Sequence, residues 1–138
     1  MKTTGERPTR PWIDSYGATI AAELPAMRYP SLAHLVHATC QQHAGKKAFT
    51  CVVPNGMNGS LTFAQVDEMS DAFASYLHHH CGVRRGARVA VQMPNGLAFP
   101  VAAFGVFKAG AILVDTNPLY TRSEMIHQLN DSGAEVLV

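Results

Sequence analysis

The sequence predicts an α/β fold in which consecutive βαβ units form a parallel sheet. From residue 87 onward, short runs of β-forming residues alternate with helical segments, and this alternation is typical of parallel strands joined by right-handed crossovers. The strand segments are also almost wholly apolar, as expected for parallel strands that are covered on both faces.

The composition excludes several classes of protein. The chain has 138 residues, a length that favours one domain with a substantial core. Charged residues make up 15% of it, well below the usual value of about 25%. The net charge of +1 offers no basic surface for nucleic acid. Three cysteines without a Cys-x-x-Cys pair favour a reducing, cytoplasmic setting.

No secretory signal and no membrane span are predicted. The first residues lack the apolar region of a signal peptide. The segment from Leu97 to Val114 is strongly apolar, but Lys108 interrupts it, and its uninterrupted part is shorter than the roughly 20 residues that a bilayer requires. A buried helix followed by a buried strand explains the same residues.

Residues 1–30 are predicted to form an extended arm, because prolines recur through them. A short helical turn is expected around Thr19–Glu23. Exposure of large apolar side chains to water is unfavourable, so we expect the arm to dock on the same subunit or on a second one. Such side chains are spaced four residues apart, at Trp12, Tyr16, Ile20 and Leu24.

Residues 31–138 are predicted to start with a helix and a β-hairpin. Ser31 is a suitable N-cap for the helix, and Gly45 is expected to end it. Two β-forming runs, 48–53 and 60–63, flank a Pro-Asn-Gly turn signal. A capping box of Thr62 and Gln65 then opens an amphipathic helix. Its core-facing side is predicted to comprise Val66, Met69, Phe73, Tyr76 or Leu77, and His80.

The following segments supply the βαβ units. Strands are predicted at 88–93, 111–115 and 135–138. The helix Leu97–Lys108 is apolar nearly all round and should be buried on both sides. A second capping box, Thr121 with Glu124, opens the last helix. Because the third strand stops at an apolar valine, we expect residues 31–138 to be the first part of an incomplete α/β domain.

Two local patterns imitate functional motifs. His78-His79-His80-Cys81 resembles a metal cluster, but successive helical residues point about 100° apart and cannot converge on one ion. A solvated helix end, with His80 against the core, is expected instead. Gly105 and Gly110 have the spacing of a phosphate-binding loop, but the Lys and Ser/Thr that should follow are missing. Gly110 is therefore interpreted as a helix C-cap.

A candidate ligand-binding edge follows the predicted strands. Met93-Pro94-Asn95-Gly96 lies where Rossmann proteins bind phosphates, but its single glycine indicates a tight turn with Asn95 as the helix N-cap. No nucleophile–base pair is found, so the sequence assigns no catalytic, cofactor-binding or metal-binding residue. The polar residues just past the end of the second strand, at the edge where open α/β sheets bind ligands, are Asp115, Thr116, Asn117 and Tyr120.

Several segments together resemble the adenylate-forming (AMP-binding) superfamily. Three of them are similar to its core motifs and the strand between them: Leu61–Val66, Gly86–Asn95 and Phe107–Pro118. The bacterial long-chain fatty acid–CoA ligase branch is similar in more detail, at residues 117–121, 127–134 and in the arm. Two positions depart from the pattern, since Ala87 replaces the usual Asp and Arg122 the usual Pro.

The resemblance implies the N-terminal portion of a ligase that converts a fatty acid, ATP and coenzyme A, with Mg²⁺, into acyl-CoA, AMP and pyrophosphate. The family's phosphate loop, adenine motif and catalytic lysine are missing from these residues, so we expect neither bound cofactor nor activity from this chain alone. The resemblance further implies a homodimer contact through Trp12 and Tyr16. It also implies a cytoplasmic enzyme whose membrane contact, where present, is peripheral and at the inner face.

Two alternatives stay open at this point. A non-catalytic binding or dimerisation module derived from that family would fold alone and pair through its arm and open sheet edge. A nucleotide-binding domain of another class, such as a Rossmann reductase, is disfavoured by the missing glycine fingerprint.

Overall fold

The computed structural model describes residues 10–138 and confirms the α/β class with a parallel sheet. The predicted arm covers residues 1–30, and residues 1–9 of it lie outside the described part of the chain. Within the described part, the arm contains a 3₁₀ turn at Pro11–Ser15. The other elements are α1 (Leu32–Gln42), β1 (Lys47–Val52), β2 (Asn58–Thr62), α2 (Phe63–His79), β3 (Arg88–Val91), α3 (Ala98–Lys108), β4 (Ile112–Asp115), α4 (Arg122–Ser132) and β5 (Val136–Leu137).

The parallel sheet has the strand order β4-β3-β5, so the first strand in sequence lies at its centre. Central position explains why Val89, Ala90 and Val91 are all fully buried. The core forms where α2 and α3 pack with this strand, around Leu77 and Val106. As predicted, the apolar helix α3 is covered on more than one side, because it contacts α1, α2, β3 and β4.

The capping boxes and the hairpin are confirmed at the predicted residues. Strands β1 and β2 pair antiparallel in a separate two-stranded sheet. The Thr62 hydroxyl accepts a hydrogen bond from the backbone N–H of Gln65, whose side-chain oxygen accepts one from the Thr62 backbone N–H. Thr121 and Glu124 make the same reciprocal contacts at the start of α4. Gly110 directly follows Ala109, the C-cap of α3, and has a φ of +71°, the left-handed conformation typical of the glycine that ends a helix.

The buried face of α2 agrees with the prediction at Val66 and Leu77, and Phe73 packs against the core, but the other predicted members are exposed. Met69 and Tyr76 are about half exposed, and His80 is exposed as well. The prediction followed side-chain hydrophobicity, whereas the structure also buries the polar Asp67 and Ser70 and the small Ala74. The buried residues of α2 are Val66, Asp67, Ser70, Ala74 and Leu77.

Three predicted local features were wrong: the end of α1, the N-cap of α3 and the position of the helical turn in the arm. Helix α1 ends at its C-cap His43, and Gly45 lies two residues further on. Leu97, not Asn95, is the N-cap of α3, and it makes no side-chain capping bond. The helical turn of the arm lies at Pro11–Ser15 rather than at 19–23, because a proline at the first position has its φ preset for a helical turn.

Helices α2 and α3 approach each other most closely at Gly105. A Cβ atom at this position would lie 2.6 Å from Cδ1 of Phe73 and 3.1 Å from the carbonyl oxygen of Ser70. Both distances are shorter than ordinary van der Waals contact. Gly105 is therefore required by the packing of the two helices and not by a phosphate-binding loop.

We expect Gly105→Ala to lower the free energy of unfolding by about 1–2 kcal/mol. Overpacking costs roughly 1–3 kcal/mol, and the better helix propensity of alanine recovers up to about 1 kcal/mol. Urea unfolding followed by circular dichroism measures the change. The matched control is Gly45→Ala, since a Cβ at Gly45 meets no atom within 4 Å. Equal stability of the two variants would contradict the close approach.

Candidate functional site

The candidate site lies at the carboxyl edge of the parallel sheet. Strands β3 and β4 pair in parallel with Val91 opposite Asp115, so their ends meet at one edge. The loops that follow them enclose a cleft of about 430 Å³. The structure thus brings together the two segments that sequence analysis singled out separately. The cleft is lined by Met93, Asn95, Asp115, Thr116, Asn117 and Tyr120, among others.

Thr116 and Asn117 use their polar groups to hold the loop after β4. Thr116 is 2% exposed. Its backbone N–H donates to the carbonyl oxygen of Val91 (3.0 Å), and its hydroxyl donates to that of Val114 (3.1 Å). The side-chain oxygen of Asn117 accepts from the backbone N–H of Leu119 (2.9 Å). These two residues therefore shape the cleft.

The chemistry of the cleft is that of a polar binding surface. Asn95, Asp115 and Tyr120 contribute an amide, a carboxylate and a phenol hydroxyl to its lining. This set can orient a ligand by hydrogen bonds. It contains no imidazole, thiol or amine, and so lacks the pairing of nucleophile and nitrogen base that acyl transfer commonly uses.

The histidine run at the end of α2 does not converge on one point. The ring Nδ1 of His78 lies 2.7 Å from the carbonyl oxygen of Val83, whereas the exposed ring of His80 stacks on Tyr76 at 5.1 Å between centroids. The expectation that His80 packs against the core was wrong, since His80 is exposed while the nearby Leu77 and Val83 are buried. Within residues 10–138, no three His, Cys, Asp or Glu side chains are grouped closely enough to hold a metal ion.

A cluster of charges that no local sequence pattern predicted lies where α1, α2 and α3 meet, and it is here called the Lys108 cluster. The Lys108 Nζ donates to Oδ1 of Asp67 (2.5 Å), to the backbone carbonyl oxygen of Asp67 (2.9 Å) and to Oδ1 of Asp71 (2.7 Å). From α1, the Gln41 amide donates to Oδ2 of Asp67 (3.1 Å), and Nδ1 of His37 lies 3.2 Å from the same oxygen. The side chains of Lys108 and Asp67 are each 8% exposed.

The Lys108 cluster is suited to holding helices together and not to proton transfer. An ammonium group has three donors, and all three have acceptors here. Burial by itself would raise the pKa of Asp67, but hydrogen bonds from Lys108 and Gln41 outweigh it and the pKa is lowered. Burial would likewise lower the pKa of Lys108, but its bonds to Asp67 and Asp71 raise it. Both groups therefore carry charge near neutral pH.

Two features of the sequence could have indicated this cluster. Lys108 is the only charged residue in the apolar segment Leu97–Val114, and isolated charges on buried helices are usually paired. Asp67 and Asp71 are spaced to share one side of α2. Their separation of about forty positions from Lys108 is a tertiary fact that no local pattern encodes.

Comparison with known proteins places the chain among adenylate-forming proteins. A family model described as AMP-binding enzyme matches residues 36–138. The long-chain-fatty-acid–CoA ligase of Salmonella typhimurium is 43% identical over 127 residues, which are 92% of this chain and 22% of that protein. The chain thus spans about a fifth of the length of this curated relative.

Solved structures agree with this placement. The fatty acid AMP ligase from Legionella pneumophila superposes with a TM-score of 0.72 at 22% identity, covering 85% of this chain and 21% of that one, which shows the fold. A benzoate CoA ligase from Burkholderia xenovorans superposes with a TM-score of 0.68 at 28% identity, covering 79% and 21% of the two chains.

We expect Lys108→Met to lower the free energy of unfolding by about 3–5 kcal/mol, because Asp67 is left buried without its cation. Asp67→Asn combined with Lys108→Met should cost less than the sum of the single changes. Urea unfolding measures both, with the exposed Lys46→Met as control. If Lys108→Met and Lys46→Met are equally stable, the cluster does not hold the helices together.

The same cluster makes stability depend on pH in a defined direction. Because the pKa of Asp67 is lowered from 3.8 on folding, its contribution is present above about pH 4 and is lost as pH falls through the folded-state pKa. Because the pKa of Lys108 is raised from 10.5 on folding, its contribution to stability is present below about pH 10.5 and is lost as pH rises through the folded-state pKa. Unfolding midpoints between pH 6 and 2 should fall more steeply in the native chain than in the double variant, and equal slopes would contradict the assignment.

Proposed function

The chain belongs to the AMP-binding enzyme family, and from this premise we propose that it is the N-terminal scaffold segment of an ATP-dependent long-chain fatty acid–CoA ligase. The observation that carries the proposal is the 43% identity to the Salmonella typhimurium ligase over 92% of the chain. In the proposed whole protein, residues 31–138 are the first part of the α/β domain and residues 1–30 are an arm.

The proposed reaction has two steps. The fatty acid carboxylate reacts with ATP to give an acyl-adenylate and pyrophosphate, with Mg²⁺ bound by residues outside this segment. The thiol of coenzyme A then displaces AMP and forms acyl-CoA. In this proposal the present chain supplies no catalytic, cofactor-binding or metal-binding residue. Its part is to build the central strand β3, the crossover α3 and the carboxyl edge of the sheet.

We also propose that the arm contacts a second copy of the chain through Trp12 and Tyr16. The support is exposure: the Trp12 side chain is 54% and the Tyr16 side chain 42% exposed, and no residue of Pro11–Ser15 is buried. Large apolar groups that stay about half exposed on their own subunit favour association. This exposure equally supports the second candidate, a non-catalytic dimerisation module.

The proposed location is the cytoplasm, with at most peripheral contact with the inner face of the membrane. The three cysteines are free, which agrees with a reducing compartment. Among residues 10–138, no helix has both the length and the apolar character needed to cross a bilayer.

A chimera tests the scaffold role. The segment of the Salmonella typhimurium ligase aligned with this chain is replaced by the present sequence, and acyl-CoA formation is followed by loss of the free thiol of coenzyme A. We expect the chimera to be active with a long-chain fatty acid and ATP. The present segment serves as scaffold in this proposal, and the catalytic residues of the ligase lie in the part that is not replaced. We expect no turnover from the isolated 138 residues.

Either of two results would contradict the proposal. One is a folded chimera that forms no acyl-CoA. The other is ATP-dependent acyl-CoA formation by a pure sample of the isolated chain. A chimera carrying Lys108→Met is the matched control, and it should lose activity together with thermal stability, since the helices of the segment are held by that residue.

Replacing Trp12 and Tyr16 by Ala together should weaken self-association by at least about tenfold, because buried aromatic residues dominate interface energies. Light scattering after size-exclusion chromatography, over a range of protein concentrations, measures the change. Met57→Ala, which alters a 65% exposed side chain in the β1–β2 connection, serves as control. An unchanged dimer in the double variant would refute the arm contact.

A further inference from the structure

The arm is closed on itself by an exposed ion pair. The Arg10 guanidinium donates from Nη1 to Oε1 of Glu23 (2.9 Å), and the same nitrogen lies 3.4 Å from the carbonyl oxygen of Ala22. The pair joins positions thirteen residues apart. It thereby turns residues 10–23 into a loop with adjoining ends, of the compact kind that is frequently functional.

Hydrogen bonds between neighbouring backbone groups shape this loop. The backbone N–H of Ile13 donates to the carbonyl oxygen of Arg10 (3.1 Å), and that of Tyr16 donates to the carbonyl oxygen of Ile13 (2.9 Å). Further along, the N–H of Ile20 donates to the carbonyl oxygen of Gly17 (2.9 Å). Two successive turns therefore carry Trp12, Tyr16 and Ile20, each of which is 42–58% exposed.

We infer that the Arg10–Glu23 pair is a clasp, which holds the loop 10–23 in the shape that docks on a second copy of this chain. The inference rests on the arm contact proposed above and deepens it, because it names the residues that position the docking surface. Arg10 and Glu23 are positioning residues in this scheme. The contact itself is made by the exposed apolar side chains of the arm, namely Trp12, Tyr16, Ile20, Leu24 and Met27.

Charge and area favour a second copy as the occupant. Residues 10–30 contain two arginines and two acidic residues, so this part of the arm has no net charge and lacks the basic character of an amphipathic segment that binds anionic lipid. Aromatic side chains bury about 150–250 Å² each. Two aromatic and three aliphatic side chains therefore amount to roughly 600–800 Å² per copy, close to the roughly 800 Å² per partner of a specific interface. A twofold contact uses the same patch from each copy.

The clasp contributes by lowering the cost of ordering the loop on docking. A loop already held in its bound shape loses less conformational freedom when it associates. The side chains of Arg10 and Glu23 are 38% and 68% exposed, and exposed ion pairs are weak and screened by salt. The effect on the dissociation constant of the dimer should therefore be about two- to fivefold, and it should disappear at high ionic strength.

Trp12 is the only tryptophan of the chain, so its fluorescence reports directly on the arm. The experiment compares the 138-residue chain with Arg10→Gln, Arg10→Lys and Tyr16→Ala. Emission of Trp12 is recorded against protein concentration at low salt and at 1 M NaCl, and its anisotropy is recorded at the lowest concentration.

We expect the emission of the unaltered chain to shift to the blue as concentration rises. Arg10→Gln should raise the dissociation constant about two- to fivefold at low salt and lower the Trp12 anisotropy of the monomer. Arg10→Lys should behave like the unaltered chain, since it keeps the charge. At 1 M NaCl the unaltered chain should approach Arg10→Gln.

The outcomes separate the clasp from the arm contact. If Tyr16→Ala weakens association while Arg10→Gln changes neither the dissociation constant nor the anisotropy, the clasp is overturned and the arm contact stands. If no blue shift accompanies association, or a shift occurs only on adding phosphatidylglycerol vesicles, then the second copy is not the occupant, and both the inference and the proposed arm contact fail.

Discussion

A buried ammonium group that needs three acceptors constrains residues 31–138, here called the body of this protein. Lys108 ends the apolar helix α3, and its head group lies where α1 and α2 meet α3. Removing either side chain would leave the other buried without its main charged partner, which is strongly unfavourable. Because α3 is also the crossover between β3 and β4, fixing its end fixes the frame on which the parallel strands lie.

The close contact at Gly105 and the Lys108 cluster lie on the same contact between α2 and α3. Gly105 lies one turn before Lys108 on α3, and it faces Ser70, which lies one turn after Asp67 on α2. The absence of a side chain at Gly105 lets the helix backbones approach, and one turn further along the same contact the Lys108 ammonium donates to the main-chain carbonyl of Asp67 at 2.9 Å. Close packing and a buried charge pair thus hold the same pair of helices.

The body and the arm are held by different kinds of interaction, and this difference bears on function. Burial holds the body, in which the carboxyl ends of β3 and β4 form one polar cleft. An exposed ion pair and a few backbone bonds hold the arm, whose apolar side chains face water. This division fits the proposed role, in which the body is a scaffold segment of a larger ligase and the arm contacts a second subunit.

What the sequence by itself determined is local or periodic. The capping boxes at Thr62 and Thr121 were predictable because their bonds join residues three apart, and the parallel sheet because strands and helices alternate. The edge carrying Asp115 followed from the same topology. Only the tertiary structure decided which face of α2 is buried, that Gly105 is a packing position, and that Lys108 pairs with Asp67. These contacts join residues far apart in the chain, and their energies come from burial and close approach, which no local pattern of side chains records.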